Sequence, residues 1–170
     1  MQDSNHQTEA PIEAISDRPA FQFGPTHLPY RILLLGKMID RVTAQHVRDT
    51  AKLSLAEWRV LTHVEMMGKC SAAEVASAAY SDRAEVSRAV GSLEERGLVQ
   101  REANPRNRKS SLVSLTDEGK AVHAAIRGER GKFYEQWLKD LSDADRSALN
   151  DGLDKMTRRV IESAPHMFDL

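Results

Sequence analysis

Guanidinium and hydroxyl side chains recur on one face of a short segment near the middle of the chain. Val86, Val90 and Leu93 fall at positions i, i+4 and i+7, which is the spacing of an apolar stripe on an α-helix. The opposite face carries groups that hydrogen-bond phosphate oxygens and base edges: Arg83, Ser87, Arg88 and Ser92. The pattern predicts a helix whose polar face is suited to contact with nucleic acid.

Both ends of this helix are marked in the sequence. Ser81 or Asp82 can cap its start, Glu85 lies three residues beyond Asp82, and Gly97 stands where a left-handed residue ends many helices. The alternative interpretation is an ordinary solvated face of mixed charge, because three glutamates share the helix. The segments that follow favour the first interpretation.

A basic hairpin is predicted directly after this helix. The segments 98–102 and 110–115 have the length, partial alternation and β-branched residues of strands, and turn residues lie between them. The loop at 103–109 has no acidic residue and three cations: Arg106, Arg108 and Lys109. Because an arginine on a projecting ribbon can enter the narrow, negative minor groove, a helix followed by this hairpin predicts recognition of double-stranded DNA.

Two capping patterns precede the polar helix and predict the elements that position it. Ser54 to Glu57 matches a capping box that opens a helix with Trp58, Leu61 and Val64 inward and a stop at Gly68. A second capping box, at 71–74, opens a short helix through Val75 and Ala79. This short helix and the helix from Asp82 to Arg96 form a helix-turn-helix pair, of which the second helix enters the major groove.

Long amphipathic helices are predicted on both sides of this unit. One runs from about His27 to Lys52, a second from Thr116 to about Asp140, and a third starts at Ser142. Their apolar positions recur at spacings of three, four and seven: Ile32, Leu34, Leu35, Met38, Ile39 and Val42; Val122, Ile126, Phe133 and Trp137; Leu149, Leu153, Met156 and Val160. The apolar face of the first helix is wider than one neighbour can cover, which suggests a partner subunit.

The order and spacing of these pieces resemble the MarR family of winged helix-turn-helix regulators. The resemblance is carried by Ser87-Arg88, by the run from Leu93 to Val99, by the Asn-Pro loop and by the run from Leu115 to Gly119, and in helix order it extends over roughly residues 27 to 163. It implies a homodimeric transcription regulator, a repressor, that binds a pseudo-palindromic operator in double-stranded DNA. It also implies that the flanking helices make the dimer.

The wing departs from the family pattern at one place. Wings of this family usually carry an Asp, then any residue, then an Arg, whereas this chain has Asn107, Arg108 and Lys109. Lysine lacks the planar fork of arginine, so insertion of Lys109 into the minor groove should be less favoured than in relatives. Either Arg106 or Arg108 can take that role, and the sequence does not choose between them.

The expected fold class is mainly α with a small β-hairpin wing (α+β). We divide the chain into a mobile N-terminal arm at 1–26, a helical dimerisation region at 27–53 and 117–165, and a winged helix-turn-helix DNA-binding domain at 54–116. Part of the arm, which carries Ile12, Ile15, Phe21 and Phe23, could instead pack on a partner subunit.

Bulk composition narrows the class of protein. The formal net charge of the 170 residues is −1, so DNA binding must rest on a local basic surface, and an aromatic content of 5% disfavours a stacking platform for single strands. No long apolar run and no signal-like start is present, which predicts a cytoplasmic protein without membrane contact. The single cysteine fits a reducing compartment.

No constellation of catalytic residues is found, so we expect no enzyme, no cofactor and no metal. A metal-responsive regulator, with His46 and His123 meeting near the dimer base, is an open alternative. A cysteine-responsive regulator is another, but Cys70 is not in the first long helix, where the peroxide-sensing branch of the family places its cysteine. We expect an inert, partly buried thiol at Cys70.

The resemblance also implies a site for a small effector between the dimerisation helices and the DNA-binding lobe. The residues expected to border it offer an aromatic wall, a guanidinium for an anion and a titratable donor: His27, Tyr30, Arg31, Trp58, Arg59 and His63. An aromatic or anionic ligand would suit them. The alternative is that the aromatic residues are core and the arginines are surface or phosphate contacts. For the whole chain, the alternative function is a winged-helix dimer that docks a protein rather than DNA.

Overall fold

The computed structural model describes residues 27–168, which contain six α-helices and three short strands. In chain order these are α1 (Leu28–Ala51), α2 (Leu55–Met67), β1 (Cys70–Ser71), α3 (Ala72–Ala78), α4 (Arg83–Glu95), β2 (Val99–Ala103), β3 (Ser111–Leu115), α5 (Asp117–Trp137) and α6 (Asp143–Ser163). A 3₁₀ turn at Pro165–Met167 follows. The mainly helical fold with a small sheet confirms the expected class. The predicted N-terminal arm lies outside the described residues.

The chain forms two compact units, one ending at His123 and the other beginning at Ala124. Every predicted helix is present, with ends within a few residues of those expected. No helix among residues 27–168 has the length and apolar character needed to cross a membrane.

Serine capping boxes start three of the helices. At Ser54, Ser71 and Ser142 the hydroxyl accepts from the backbone N–H three residues on, and the acidic side chain there accepts from the serine N–H. Each box satisfies two N–H groups that a helix start would otherwise leave unpaired. These local patterns are the reason that the helix starts could be predicted from the sequence.

The sheet is antiparallel, in the order β1-β3-β2. Val99 pairs with Leu115 at the base of the predicted hairpin, and Cys70 of β1 pairs with Val113 on the other edge of β3. The strand β1 was not predicted, because two residues are too few to show an alternating pattern.

The core of the first unit joins α1, α2, α3, α4 and the sheet. Its fully buried side chains are apolar: Val47, Leu53, Val60, Leu61, Val64, Val75, Val90, Leu93 and Val113. Trp58, also buried, stacks on the ring of His123 with 5.2 Å between ring centroids. The inward positions predicted for α2 are therefore confirmed.

The start of α5 is packed closely against the turn after α4. The Thr116 hydroxyl accepts from the Gly119 N–H at 3.0 Å and donates to the Gly97 carbonyl at 2.7 Å. A Cβ at Gly119 would overlap the Leu98 carbonyl oxygen, so only glycine fits there without movement. This packing gives a physical reason for the Leu-Thr-x-x-Gly run.

Large apolar side chains on the remaining helices stay exposed in the single chain. On α1 they are Leu28, Tyr30, Leu33, Leu35, Met38 and Val42. In the second unit they include Phe133, Trp137, Leu149, Leu153 and Val160, and α6 has no buried residue. The apolar faces predicted for these helices are present, but apart from the buried Ile126 this chain alone leaves them partly or wholly exposed.

Candidate nucleic-acid interface

The helix α4 is held in the first unit by its apolar stripe. Val86, Ala89, Val90 and Leu93 are buried, and the helix packs against α2 and α3. Its first turn is capped by Asp82, whose carboxylate accepts from the Glu85 N–H at 2.9 Å. The predicted choice of Ser81 or Asp82 is thus settled in favour of Asp82, and the opposite face of α4 is left to solvent.

Three of the four polar residues predicted on that face are exposed. Arg83, Ser87 and Arg88 lie within the first half of α4 and are open to solvent. Ser92 is half-buried, and its hydroxyl donates to Glu57 Oε1 at 2.7 Å. Because its hydroxyl proton is used within the chain, Ser92 holds α4 in place rather than extending the solvent-facing set.

Glu57 is a buried carboxylate that joins the ends of three helices. It accepts from the Ser54 N–H at 2.6 Å and from Ser92, and Arg96 Nη1 lies 3.7 Å from its Oε1. Arg96 also donates to the Lys52 and Ala51 carbonyls, at 3.0 and 2.9 Å, at the end of α1. The C-terminal end of α4 is therefore tied to both α1 and α2.

The charge state of Glu57 follows from these contacts. Burial alone would raise its pKa, but the Ser54 N–H, the Ser92 and Ser54 hydroxyls and the Arg96 charge together hold the pKa below its usual value. Glu57 is thus ionised at neutral pH. The sequence suggested its capping role, but not its bond to Ser92, which is 35 residues away along the chain.

The first strand of the wing, β2, contacts α4. Arg101 on β2 bonds Glu94 on α4 with 2.9 Å between Nε and Oε2. Lys69, before β1, bonds Glu102 at 2.8 Å. These ion pairs are largely exposed and contribute little stability.

The three cations predicted at the wing tip are all exposed, and the backbone between them is folded into two side-chain-stabilised turns. Asn104 Oδ1 accepts from the Arg106 N–H at 2.9 Å, and Asn107 Oδ1 accepts from the Lys109 N–H at 3.1 Å. Asparagine is well suited to such turns. Asn107 therefore shapes the loop that presents Arg108 and Lys109.

Arg106 is distinguished from the other two cations by a neighbouring carboxylate. The pKa of Glu74, at the start of α3, is lowered mainly by the Ser71 backbone N–H and hydroxyl, and to a smaller extent by the charge of Arg106. The positive charge of Arg106 thus acts in part on a carboxylate of the same chain. Arg108, the other arginine of the tip, does not contribute to the lowered pKa of Glu74.

The residues predicted to border an effector site divide into two groups. His27, Tyr30 and Arg31 are exposed at the start of α1. On α2, Trp58 is buried against His123, Arg59 pairs with Asp40 of α1 at 2.7 Å, and the His63 ring contacts the Arg59 carbonyl at 2.8 Å. The alternative interpretation, that Trp58 and Tyr30 are core residues, is confirmed for Trp58 and wrong for Tyr30, which is exposed.

Cys70 lies in β1 with its side chain buried. Burial raises the pKa of its thiol, and the negative charge of Glu74 raises it further. Both effects suppress the thiolate, which is the reactive form. The structure therefore supports the expectation of an inert thiol.

Among residues 27–168, no cluster of three or more His, Cys, Asp or Glu side chains could hold a metal ion. His123 faces Trp58 in the core of the first unit. Its position there gives no support to a shared metal site with His46.

The helix α4, packed on α2 and α3 and followed by a β-hairpin with a basic tip, defines a winged helix-turn-helix domain. Residues 51–110, about a third of the chain, match the model of the MarR family. The resemblance stated from the sequence is confirmed.

Known relatives agree with this assignment. The chain is 26% identical over 118 residues to an uncharacterized HTH-type transcriptional regulator, YxaD, of Bacillus subtilis, with 69% of this chain and 82% of the relative covered. Such relatives are named as transcriptional regulators and not as enzymes, as the sequence led us to expect.

Solved structures share the fold. Wild-type MarR from E. coli in its apo form matches with a TM-score of 0.66 and 22% identity, covering 76% of this chain and 95% of that one. A cysteine-to-serine variant of the same protein, complexed with operator DNA, matches with a TM-score of 0.67 and 22% identity, covering 76% and 92%.

Proposed function

We propose that this protein is a homodimeric transcription regulator that binds a specific double-stranded DNA sequence, and that it acts as a repressor released by a small ligand. The observation that carries the proposal is the capped helix α4, whose exposed Arg83, Ser87 and Arg88 lie in its first half. Recognition helices present their N-terminal residues to base edges in the major groove. A structural neighbour with the same fold is described in complex with operator DNA.

The wing adds a second region of DNA binding in this proposal. Its exposed cations follow α4 directly, so both elements reach one DNA duplex when α4 lies in the major groove. Of the candidates for the flanking minor groove we favour Arg108, because the charge of Arg106 also acts on Glu74 of the same chain and Lys109 lacks a guanidinium. The overall charge of −1 makes this local basic surface necessary for binding.

The proposed dimer rests on the apolar faces that the single chain leaves exposed. The helix α6 carries Leu149, Leu153 and Val160 along one stripe and buries none of its residues. A stripe of this kind is seldom left in water, so a partner helix is expected to cover it. Two-fold symmetry then predicts two half-sites about 10 base pairs apart, centre to centre.

The exposed start of α1 is the proposed binding site for the effector. His27, Tyr30 and Arg31 at the exposed start of α1 offer an aromatic ring and a guanidinium, which suit a small aromatic carboxylate. Such a ligand would release DNA by favouring a dimer with a different spacing of the two α4 helices. Benzoate is a suitable first probe, with the thermal midpoint and the affinity for DNA as readouts.

A regulator that binds DNA in this way is expected to act in the cytoplasm.

The experiment that tests the proposal starts from a random library, because the operator is not known. Duplexes retained by the full-length protein are amplified, and a gel shift then compares the selected duplex with a scrambled duplex of the same composition. We expect selection to converge on an inverted repeat, bound at least a hundredfold more tightly than the scrambled duplex. Failure to enrich any sequence would favour the alternative, a winged-helix dimer that docks a protein.

A further inference from the structure

The side chain of Arg96 bonds the end of α4 to the end of α1. Arg96 is the residue that ends α4, and it donates from Nη1 to the Lys52 carbonyl at 3.0 Å and from Nη2 to the Ala51 carbonyl at 2.9 Å. Both carbonyls lie at the C-terminal end of α1, where a helix leaves its last acceptors without backbone partners. The guanidinium of Arg96 therefore caps α1 from the end of α4.

The geometry of this link makes it stiff. The guanidinium is planar, and two N–H bonds to neighbouring carbonyls hold it in one orientation, which a single donor would not do. Its positive charge lies at the C-terminal end of a helix, where the helix dipole favours a cation. Glu57 Oε1 on α2 lies 3.7 Å from Nη1 and also accepts from Ser92, one turn earlier on α4. Directed bonds thus hold the ends of α1 and α4 together.

The helix α1 leads from an exposed apolar surface to this link. Its exposed large apolar side chains lie between Leu28 and Val42, whereas Thr43 and Val47, nearer its end, are buried in the first unit. In the proposed dimer a partner subunit covers the exposed part. The position of α4 in the dimer then depends on how firmly it is held at the end of α1.

The separation of the two α4 helices decides which operators a dimer can bind with both subunits. One base pair added between the half-sites moves the second half-site by about 3.4 Å along the duplex and turns it by about 35°. A dimer whose α4 helices are firmly held cannot follow this shift, whereas one whose α4 helices can turn at the end of α1 can. The stiffness of the link is therefore a source of specificity for spacing, separate from the reading of bases.

We propose that Arg96 is a positioning residue for DNA recognition: its two bonds to the end of α1 fix the placement of α4 in the dimer and so determine the half-site spacing that the protein accepts. The inference rests on the proposed function. It adds to that function a residue that acts on specificity through α1 and α4, without contacting a base or a phosphate.

The test uses the full-length protein and the inverted repeat selected from the random library. Duplexes with no, one or two base pairs inserted between the half-sites are compared with a duplex that holds a single half-site, by fluorescence anisotropy well below the thermal midpoints. On insertion we expect wild type to lose affinity roughly ten- to hundredfold, because both subunits no longer bind at once, and Arg96→Ala to lose roughly threefold or less. Both proteins should bind the single half-site equally, because no DNA-contacting residue is changed.

Two further variants complete the comparison. Arg101→Ala removes the ion pair with Glu94 between β2 and α4 and leaves α1 untouched, so it should keep the wild-type dependence on spacing. Arg96→Lys keeps the charge at the end of α1 but loses the planar fork, so its dependence on spacing should be intermediate. Because it changes less of the side chain, Arg96→Lys also gives the answer if Arg96→Ala does not fold.

The outcomes are distinguishable from failure of the proposed function. If wild-type protein enriches no inverted repeat, the proposed function fails. If it does enrich one, the same dependence on spacing in wild type and in the Arg96 variants overturns this inference alone. A loss of affinity in Arg96→Ala that is equal for every duplex, the single half-site included, also overturns it, because Arg96 would then contact DNA or only stabilise the fold.

Discussion

At the scale of single residues, Glu57 both caps the start of one helix and bonds a second helix. The same carboxylate closes the start of α2 and holds the Ser92 hydroxyl of α4, with Arg96 beside it. A buried carboxylate with this many donors stabilises the fold only while it is ionised. Its effect on stability must therefore depend on pH.

We expect Glu57→Gln to lower the free energy of unfolding by roughly 1–3 kcal/mol at neutral pH, because a charged acceptor is replaced by a weaker one. The folded pKa of Glu57 lies below its ordinary value of 4.5. The stabilisation is therefore fully present above about that pH and is lost as the pH falls through the folded pKa.

Urea unfolding at several pH values measures this difference. The gap in stability between wild type and Glu57→Gln should be constant above about pH 5 and should shrink in more acidic solution. A gap that does not change with pH would show that the ionised carboxylate is not the source of the stabilisation.

Gly119 gives a second residue-scale prediction with an internal control. Because a Cβ at Gly119 would overlap the Leu98 carbonyl, Gly119→Ala should destabilise the protein by roughly 1–3 kcal/mol. Gly128, also in α5, has open space around its Cα, so Gly128→Ala should instead stabilise by about 0.5–1 kcal/mol. Thermal unfolding of both variants tests the packing, and equal shifts in the two midpoints would contradict it.

At the scale of elements, the sequence predicted the helix ends that neighbouring residues determine, but not those that depend on residues further along the chain. Each of the serine caps at 54, 71 and 142 involves only four consecutive residues, so the starts of three helices could be predicted. The end of α5 could not, because Arg146 reaches back to the Leu138 and Leu141 carbonyls and stabilises the chain where it leaves the helix. The prediction of a helix to about Asp140 was therefore three residues too long.

In the candidate site, too, local periodicity could be predicted from the sequence and tertiary packing could not. Arg83, Ser87 and Arg88 could be assigned to an exposed face because helical periodicity alone decides it. The half-burial of Ser92 could not be predicted, because it depends on how α2 packs against α4.

The cations at the tip of the wing should determine part of the salt dependence of DNA binding. Simultaneous replacement of Arg106, Arg108 and Lys109 by Ala should weaken DNA binding. It should also make log affinity fall less steeply with log salt concentration, because the slope decreases by about 0.9 for each phosphate that the wing no longer neutralises. The matched control replaces three exposed cations of the second unit, Lys139, Lys155 and Arg158, with Ala. An identical salt slope in the two triple variants would exclude the wing from the interface.

For the whole molecule, the exposed apolar stripe of α6 predicts a stable dimer. Sedimentation equilibrium should give twice the chain mass of 19.0 kDa. Leu153→Asp, within the stripe, should shift the protein toward monomer and weaken DNA binding, since two half-sites are then bound independently. Arg158→Asp lies on the opposite face of the same helix and should change neither property. A wild-type monomer that binds DNA at full affinity would contradict this part of the account.

The central claim is that α4 reads base sequence, and Arg88 on its exposed face tests it most directly. The measurement is the ratio of affinities for the selected and scrambled duplexes, taken for wild type and for Arg88→Ala at one salt concentration. We expect the ratio to fall roughly tenfold or more, because a hydrogen-bonded base contributes about 1–3 kcal/mol of discrimination, while Arg158→Ala leaves the ratio unchanged. An Arg88→Ala protein that folds normally and keeps the wild-type ratio would contradict the claim.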